Sequence, residues 1–239
     1  EETRVAITLT DTGAGVDLEG NERALSAAAR AKIGEITGAA RMARVSVGGV
    51  PVIERQAPVL HFAGKAVTPP PGAFLQAVPE AEQAMIDLVT AALGKAKQVG
   101  DLFCGLGTLT LPIAQKARVT AFDADRNAIA ALNEAQRKNQ GLKPFTAKPR
   151  DLFRDALSPM EMKDLDAVVL DPPRAGAKAQ CERLAQSKVK RVVMVSCNPA
   201  TLARDLRILI DGGYRLDAIT PIDQFLYSPH LEAVAALTR

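Results

Sequence analysis

Several short segments carry the residue types that can do chemistry, and each stands where an apolar run ends. The first is Asp101-Leu102-Phe103-Cys104-Gly105-Leu106-Gly107-Thr108-Leu109-Thr110. Its two glycines, Gly105 and Gly107, let the backbone pass close to a ligand. A dinucleotide fingerprint asks for a third glycine where this chain has Thr110, which argues against a pyrophosphate cofactor such as NAD. The next apolar run ends at Asp123, sixteen residues after Gly107, where a carboxylate can accept both ribose hydroxyls of an adenosine. An adenosine without a diphosphate fits this pair of segments, and Asp151, after the third run, is suited to the adenine edge. The plainer alternatives are a turn-former for Asp101 and caps for Asp123 and Asp151.

The second group is acidic and nucleophilic. Leu170-Asp171-Pro172-Pro173-Arg174 closes a fourth apolar run, and its two prolines remove amide donors that would otherwise occupy the Asp171 carboxylate. Such a stiff acidic loop suits a flat base. A fifth run ends in Ser196-Cys197-Asn198-Pro199-Ala200-Thr201, with Pro199 opening a helix. A thiol just before a helix N-terminus faces unpaired amides, and the expectation is a Cys197 shifted towards thiolate and acting as nucleophile. Cys104 and Cys181 are expected to pack. Tyr227-Ser228-Pro229-His230-Leu231-Glu232 leads into the last run, and Glu232 at its head is either a rim residue or a base.

The elements that must position these residues follow from the rhythm of the chain. From Pro79 onward, apolar runs near Gln98–Phe103, Arg118–Phe122, Pro144–Ala147, Asp166–Leu170, Arg191–Ser196, Tyr214–Thr220 and Leu231–Leu237 alternate with helical segments at 79–93, 126–139 and 199–210. Seven strands alternating with helices imply an α/β, doubly wound sheet with ligands at the carboxyl edge. The last two runs have no helix between them and should pair antiparallel. Ahead of them, residues 1–72 read as a small α/β region: a strand over Arg4–Thr10, a helix near Glu22–Ile36 and two strands about Gly48-Gly49, closed by Thr68-Pro69-Pro70-Pro71-Gly72. The expected division is 1–72, a possible RNA-contacting region, and 73–239.

Composition narrows the classes. The chain has 239 residues, 47% of them hydrophobic and 24% charged, with a net charge of +3, which excludes disorder and fibrous repeats. No apolar run approaches the ~20 residues that cross a bilayer, and a cytoplasmic protein without membrane contact is expected. Three cysteines with no CxxC pair cannot build a four-cysteine metal or cluster site. The sequence opens at Glu1, so a processed product or a piece of a longer protein is expected.

Taken together, Asp-Leu-Phe-Cys-Gly-x-Gly, Leu-Asp-Pro-Pro-Arg-Ala-Gly, Ser-Cys-Asn-Pro-Ala-Thr-Leu-Ala-Arg-Asp and the terminal His-x-Glu-x-Val resemble the S-adenosylmethionine-dependent RNA uracil-5-methyltransferases of ribosomal and transfer RNA. The resemblance runs from about Phe74 to the C-terminus. It implies a class I methyltransferase fold, S-adenosylmethionine as cofactor and RNA as partner, with ribosomal RNA preferred over transfer RNA. It also implies Gln76, Phe103, Gly105, Thr108, Asp123, Asp151 and Asp171 on the cofactor side, Cys197 as nucleophile and Glu232 as base. Arg174 is a candidate RNA contact. The chain lacks the family's frequent N-terminal barrel and iron-sulfur cysteines, has Thr108 where Asn is common, and has Asp123 where Glu is common. Three rivals remain: a cytosine-5 enzyme, opposed by the missing Pro-Cys; an amino-group methyltransferase, opposed by Arg174 and Cys197; and a non-catalytic RNA-binding module.

Overall fold

The computed structural model describes residues 4–40, 42–225, 227–228 and 230–239; Pro229, quoted above, lies outside them. Its main body is a seven-stranded sheet in the order β12-β13-β11-β10-β7-β8-β9. The strands are β7 (Gln98–Leu102), β8 (Arg118–Asp123), β9 (Phe145–Pro149), β10 (Ala167–Leu170), β11 (Arg191–Ser196), β12 (Arg215–Ile222) and β13 (Glu232–Thr238). β7 to β11 pair in parallel, and β13 runs antiparallel to both β11 and β12, as the missing helix between the last two runs requires.

The central strands are apolar on both faces because both faces are covered. In β10, Ala167 and Val169 join a core with helices α2 (Pro79–Leu93), α3 (Thr110–Ala114) and α4 (Arg126–Lys138). Val168 and Leu170 point the other way, into a core with α5 (Lys178–Ala185) and α6 (Pro199–Asp211). Each fully buried Val or Leu there stabilises the fold by roughly 1.5–3 kcal/mol relative to exposure. The helices start where the sequence says they should: Pro79 opens α2, the Asp125 carboxylate accepts from Asn127 and Ala128 amides at α4, and Asn198 caps α6 ahead of Pro199.

The N-terminal region is a four-stranded sheet of β1 (Val5–Thr10), β2 (Gly13–Leu18), β3 (Met42–Val47) and β4 (Val50–Glu54), in that order. The helix expected from Glu22 is split: a 3-10 turn covers Glu22–Ala24, and α1 (Ala27–Ala39) starts only after Ser26, whose hydroxyl accepts the Ala29 amide at 3.1 Å. β2 escapes sequence reading because Gly-Ala-Gly-Val-Asp-Leu has poor strand propensity. Its pairing to β1 on one side and β3 on the other makes it a strand. A hairpin of β5 (Leu60–Phe62) and β6 (Lys65–Val67) was likewise unexpected. Phe62 and Val67 enter the core of the main sheet, and Asn139, the C-cap of α4, exchanges hydrogen bonds with the Ala66 backbone at 2.7 and 2.9 Å. The hairpin therefore packs with the main body although it precedes the expected boundary at 72/73. Among the described residues no helix is long and apolar enough to cross a membrane.

Candidate active site

A cavity of about 470 Å³ opens at the carboxyl edge of the main sheet. Its lining includes all nine expected site residues: Gln76, Phe103, Gly105, Thr108, Asp123, Asp151, Asp171, Cys197 and Glu232. The cavity is large enough for a ligand of cofactor size.

Its first end is built from β7 and β8. Past β7 the chain turns through Phe103, a non-glycine residue at φ 65°, so backbone strain is concentrated at the cavity wall. The Phe103 and Cys104 amides both donate to the Phe122 carbonyl, at 2.9 and 3.0 Å. Gly105 and Gly107 follow at φ 49° and 90°, and a Cβ on Gly105 would stand in open space. Asp123 holds this loop: one carboxylate oxygen accepts the Gly105 amide at 2.8 Å and the other accepts the Asp125 amide at 2.8 Å. The cap of α4 is Asp125, not Asp123, so the plain helix-cap alternative for Asp123 fails. Each Asp123 oxygen keeps a lone pair for a further donor.

Asp101 is not a turn-former either. Its carboxyl is fully buried, takes the Thr110 hydroxyl, and leaves its other oxygen without a partner among the described residues. Burial first, moderated by Thr110 and reinforced by Asp123, pushes it up to about 7. Thr110, read in the sequence only as a missing glycine, is thus a partner of the loop's own acid. Asp151 heads a turn and not a helix: it accepts the Phe153 amide at 3.0 Å and pairs with Arg154 at 3.5 Å, while still lining the cavity. Phe153, which sequence reasoning missed, packs its ring against Phe103 with centroids 5.4 Å apart. Thr108 lines the same end and makes no hydrogen bond among the described residues.

The other end is built from β10, β11 and β13. The register of β11 and β13 ends with Ser196 paired to Ala233, and the residues next beyond that pair, Cys197 and Glu232, both line the cavity. Asp171 follows β10, its amide donating to the Leu102 carbonyl at 3.1 Å and its carboxylate accepting no local amide among the described residues, as the two prolines imply. The loop after it is tied to α6: the Arg174 carbonyl accepts from Asn198 Nδ2 and the Thr201 hydroxyl, both at 3.2 Å, and buried Asp205 accepts the Ala177 amide at 2.6 Å. Gln76 approaches from the segment before α2, and Gln224 Nε2 donates to its Oε1 at 3.3 Å.

Charge at this end is crowded. Burial chiefly, then Glu232, Asp101 and Asp123, push the Asp171 carboxyl up to about 7. Burial also raises Glu232 above the usual carboxylate range, against a hydrogen bond from Gln224. Cys197 corrects the sequence expectation, because its thiol is raised rather than drawn towards thiolate. Burial and the Glu232 and Asp171 carboxylates outweigh Arg174 and the local backbone. The helix end contributes little: Pro199 has no N–H, and the Ala200 amide is taken by Asn198 Oδ1 at 3.0 Å. Cys104 and Cys181 are buried in the cores, as expected of packing thiols.

The sheet order with its reversed last strand, and a glycine loop and acid after the first two strands of that sheet, define a class I methyltransferase fold. Comparison with known proteins narrows it. A family model described as tRNA (uracil-5-)-methyltransferase matches residues 59–239, and the chain belongs to that family. An uncharacterized RNA methyltransferase of Rhizobium meliloti is 51% identical over 239 residues, covering 100% of this chain and 57% of the relative. The 23S rRNA (uracil(1939)-C(5))-methyltransferase RlmD of Aeromonas hydrophila is 36% identical over 193 residues, 79% of this chain and 44% of the relative. The tRNA (uracil-54, C5)-methyltransferase of Pyrococcus abyssi, solved with S-adenosyl-L-homocysteine, superposes with a TM-score of 0.78 at 24% identity, over 98% of this chain and 59% of that one. The chain thus spans under two thirds of the length of these relatives.

Proposed function

We propose that this chain is the catalytic part of an RNA methyltransferase that places a methyl group on carbon 5 of a uridine, ribosomal RNA being the preferred substrate, through a covalent Cys197 adduct. The observation that carries the reading is the meeting of Cys197, Glu232 and Asp171 at one end of a cavity whose other end is the glycine loop with Asp123. The residues present fit S-adenosylmethionine: Gly105 leaves open space where a side chain would stand, and both Asp123 oxygens keep capacity for ribose hydroxyls. When bound, that cofactor supplies an electrophilic methyl group on a sulfonium.

The chain's own residues do the rest. Carbon 5 of uracil is a weak nucleophile, and Cys197 Sγ, once deprotonated, adds to carbon 6, so the double-bond electrons move onto carbon 5 and oxygen 4. Carbon 5 takes the methyl. Glu232 then removes the carbon 5 proton, the 5,6 double bond reforms, and the bond to Sγ breaks to release thiolate. Asp171, whose carboxyl is held near neutrality, faces the base edge, and Arg174 lies on the rim for RNA. The uridine must leave its stack to enter, so a loop or single-stranded target is favoured. The printed name of the Aeromonas relative supports ribosomal RNA, whereas the family description and the Pyrococcus structure name tRNA.

Incubation with S-adenosylmethionine and transcripts of 23S ribosomal RNA and of tRNA, each with 5-fluorouridine, tests this by intact mass. Fluorine blocks proton removal, so a stable protein-RNA adduct through Cys197 on the ribosomal transcript is expected. Methylation of ordinary RNA with no adduct on either fluorinated transcript contradicts the reading, and an adduct on tRNA alone reverses the substrate preference.

A further inference from the structure

Gln224 lies in the connection between β12 and β13, outside every motif of the sequence, yet its side chain is buried at 6% exposure. One nitrogen serves two cavity residues: Nε2 donates to Glu232 Oε1 at 3.0 Å and to Gln76 Oε1 at 3.3 Å. Gln224 Oε1 is buried without a partner among the described residues, which ordinarily costs about 1–3 kcal/mol. Turning the amide over does not relieve this, because its oxygen would then meet the Glu232 carboxylate and the Gln76 carbonyl oxygen, acceptor against acceptor. The Glu232 carboxylate makes no other hydrogen bond among the described residues, so one of its oxygens is fixed and the other is left to the cavity.

We propose that Gln224 is a positioning residue for proton removal: its amide holds Glu232 Oε1 and ties it to Gln76, so that Oε2 is presented to carbon 5. The inference deepens the proposed function and rests on Glu232 as its base. The groups facing Glu232 are Asp171 from the end of β10, Cys197 from the end of β11 and Gln76 from the segment before α2. Helix α2, packed on β13, carries Glu80, Glu82 and Asp87, and none of them shifts Glu232. A hydrogen bond donated to a carboxylate favours its charged form, while burial opposes it. Losing the Gln224 donor leaves burial unopposed, so the carboxyl keeps its proton to higher pH. The base is the ionised form, so proton removal slows at neutral pH and recovers as pH rises.

The test is single turnover on the 23S ribosomal RNA transcript with S-adenosylmethionine between pH 6 and 9, following adduct formation and decay separately. Gln224→Met keeps length and removes the donor. Its adduct should form at a rate close to wild type and decay more slowly, the pH profile of decay being displaced upward by about one pH unit, a tenfold loss on its rising limb. Gln224→Glu, of the same size, should move the profile further up by adding a second carboxylate. Recovery at high pH is a result that a folding defect does not produce. Wild-type decay at every pH in Gln224→Met, or slow decay that no pH restores, overturns the proposal. Wild-type protein and Glu232→Gln both methylating without an adduct overturns instead the base on which it rests, and that is visible before any Gln224 variant is made.

Discussion

Asp171 is where the cost of this site to the fold can be measured. Its carboxyl ionises near 7 in the folded protein, raised by burial and then by Glu232, Asp101 and Asp123. An acid whose folded value lies above its unfolded value gives its full stabilisation below about pH 4, and loses it as pH rises through about 7. Asp171→Asn should therefore remove a penalty on the order of a few kcal/mol. Urea unfolding at pH 5 and pH 8 should show the variant more stable than wild type, with the larger difference at pH 8. An equal difference at both values contradicts the crowding of acids in this wall. At this scale the sequence was informative: nine candidate residues, from Gln76 to Glu232, line one cavity. It misread the ionisation of Cys197, because burial raises that thiol first and the Glu232 and Asp171 carboxylates that add to the rise come from the start of β13 and the end of β10, far away in the chain. Gln224 and Phe153 left no signal, since neither belongs to a periodic pattern or a motif.

At the scale of elements, α6 does more than follow Cys197. Asn198, Thr201, Arg204 and Asp205 all bond to residues 174–177, so the helix that begins after Cys197 also fixes the loop that carries Asp171. Gly176 makes this possible: it sits at φ 75°, and a Cβ there would come within 2.5 Å of Arg204 Nη2 and Asp205 Oδ2. Gly176→Ala should cost about 1–3 kcal/mol and lower methyl transfer with it. A thermal melt and a turnover assay check both, and an unchanged melt would mean the loop is not held by α6. Gly107, at φ 90°, has the same role at the other end, since a Cβ would meet Leu132 Cδ1 at 2.4 Å. Gly107→Ala should weaken S-adenosylmethionine binding by calorimetry, by about tenfold for each 1.4 kcal/mol of strain relayed to the loop. The parallel core was legible because strands covered on both faces must be apolar throughout. β2 and the β5–β6 hairpin were not, because they are strands only through the neighbours they pair with or pack on.

For the molecule as a whole, a net charge of +3 offers few phosphate contacts. Binding of this chain to RNA should be weak and fall only shallowly with salt, which fluorescence titration from 50 to 200 mM salt measures against the roughly 10³–10⁵ loss of a protein with many contacts. A steep slope would mean that basic side chains are gathered by the fold in a way their scatter along the chain hides. The proposed function turns on a division of labour between Cys197 and Glu232, which line one cavity just past the last β11–β13 pair, Ser196 with Ala233. Denaturing electrophoresis of Cys197→Ala and Glu232→Gln, each incubated with labelled ordinary uridine RNA and S-adenosylmethionine, tests it most directly. The account predicts no adduct and no methyl transfer for Cys197→Ala, and an accumulating protein-RNA adduct for Glu232→Gln, because addition proceeds and proton removal stalls. Methyl transfer by Cys197→Ala, or wild-type turnover by Glu232→Gln without an adduct, would contradict it.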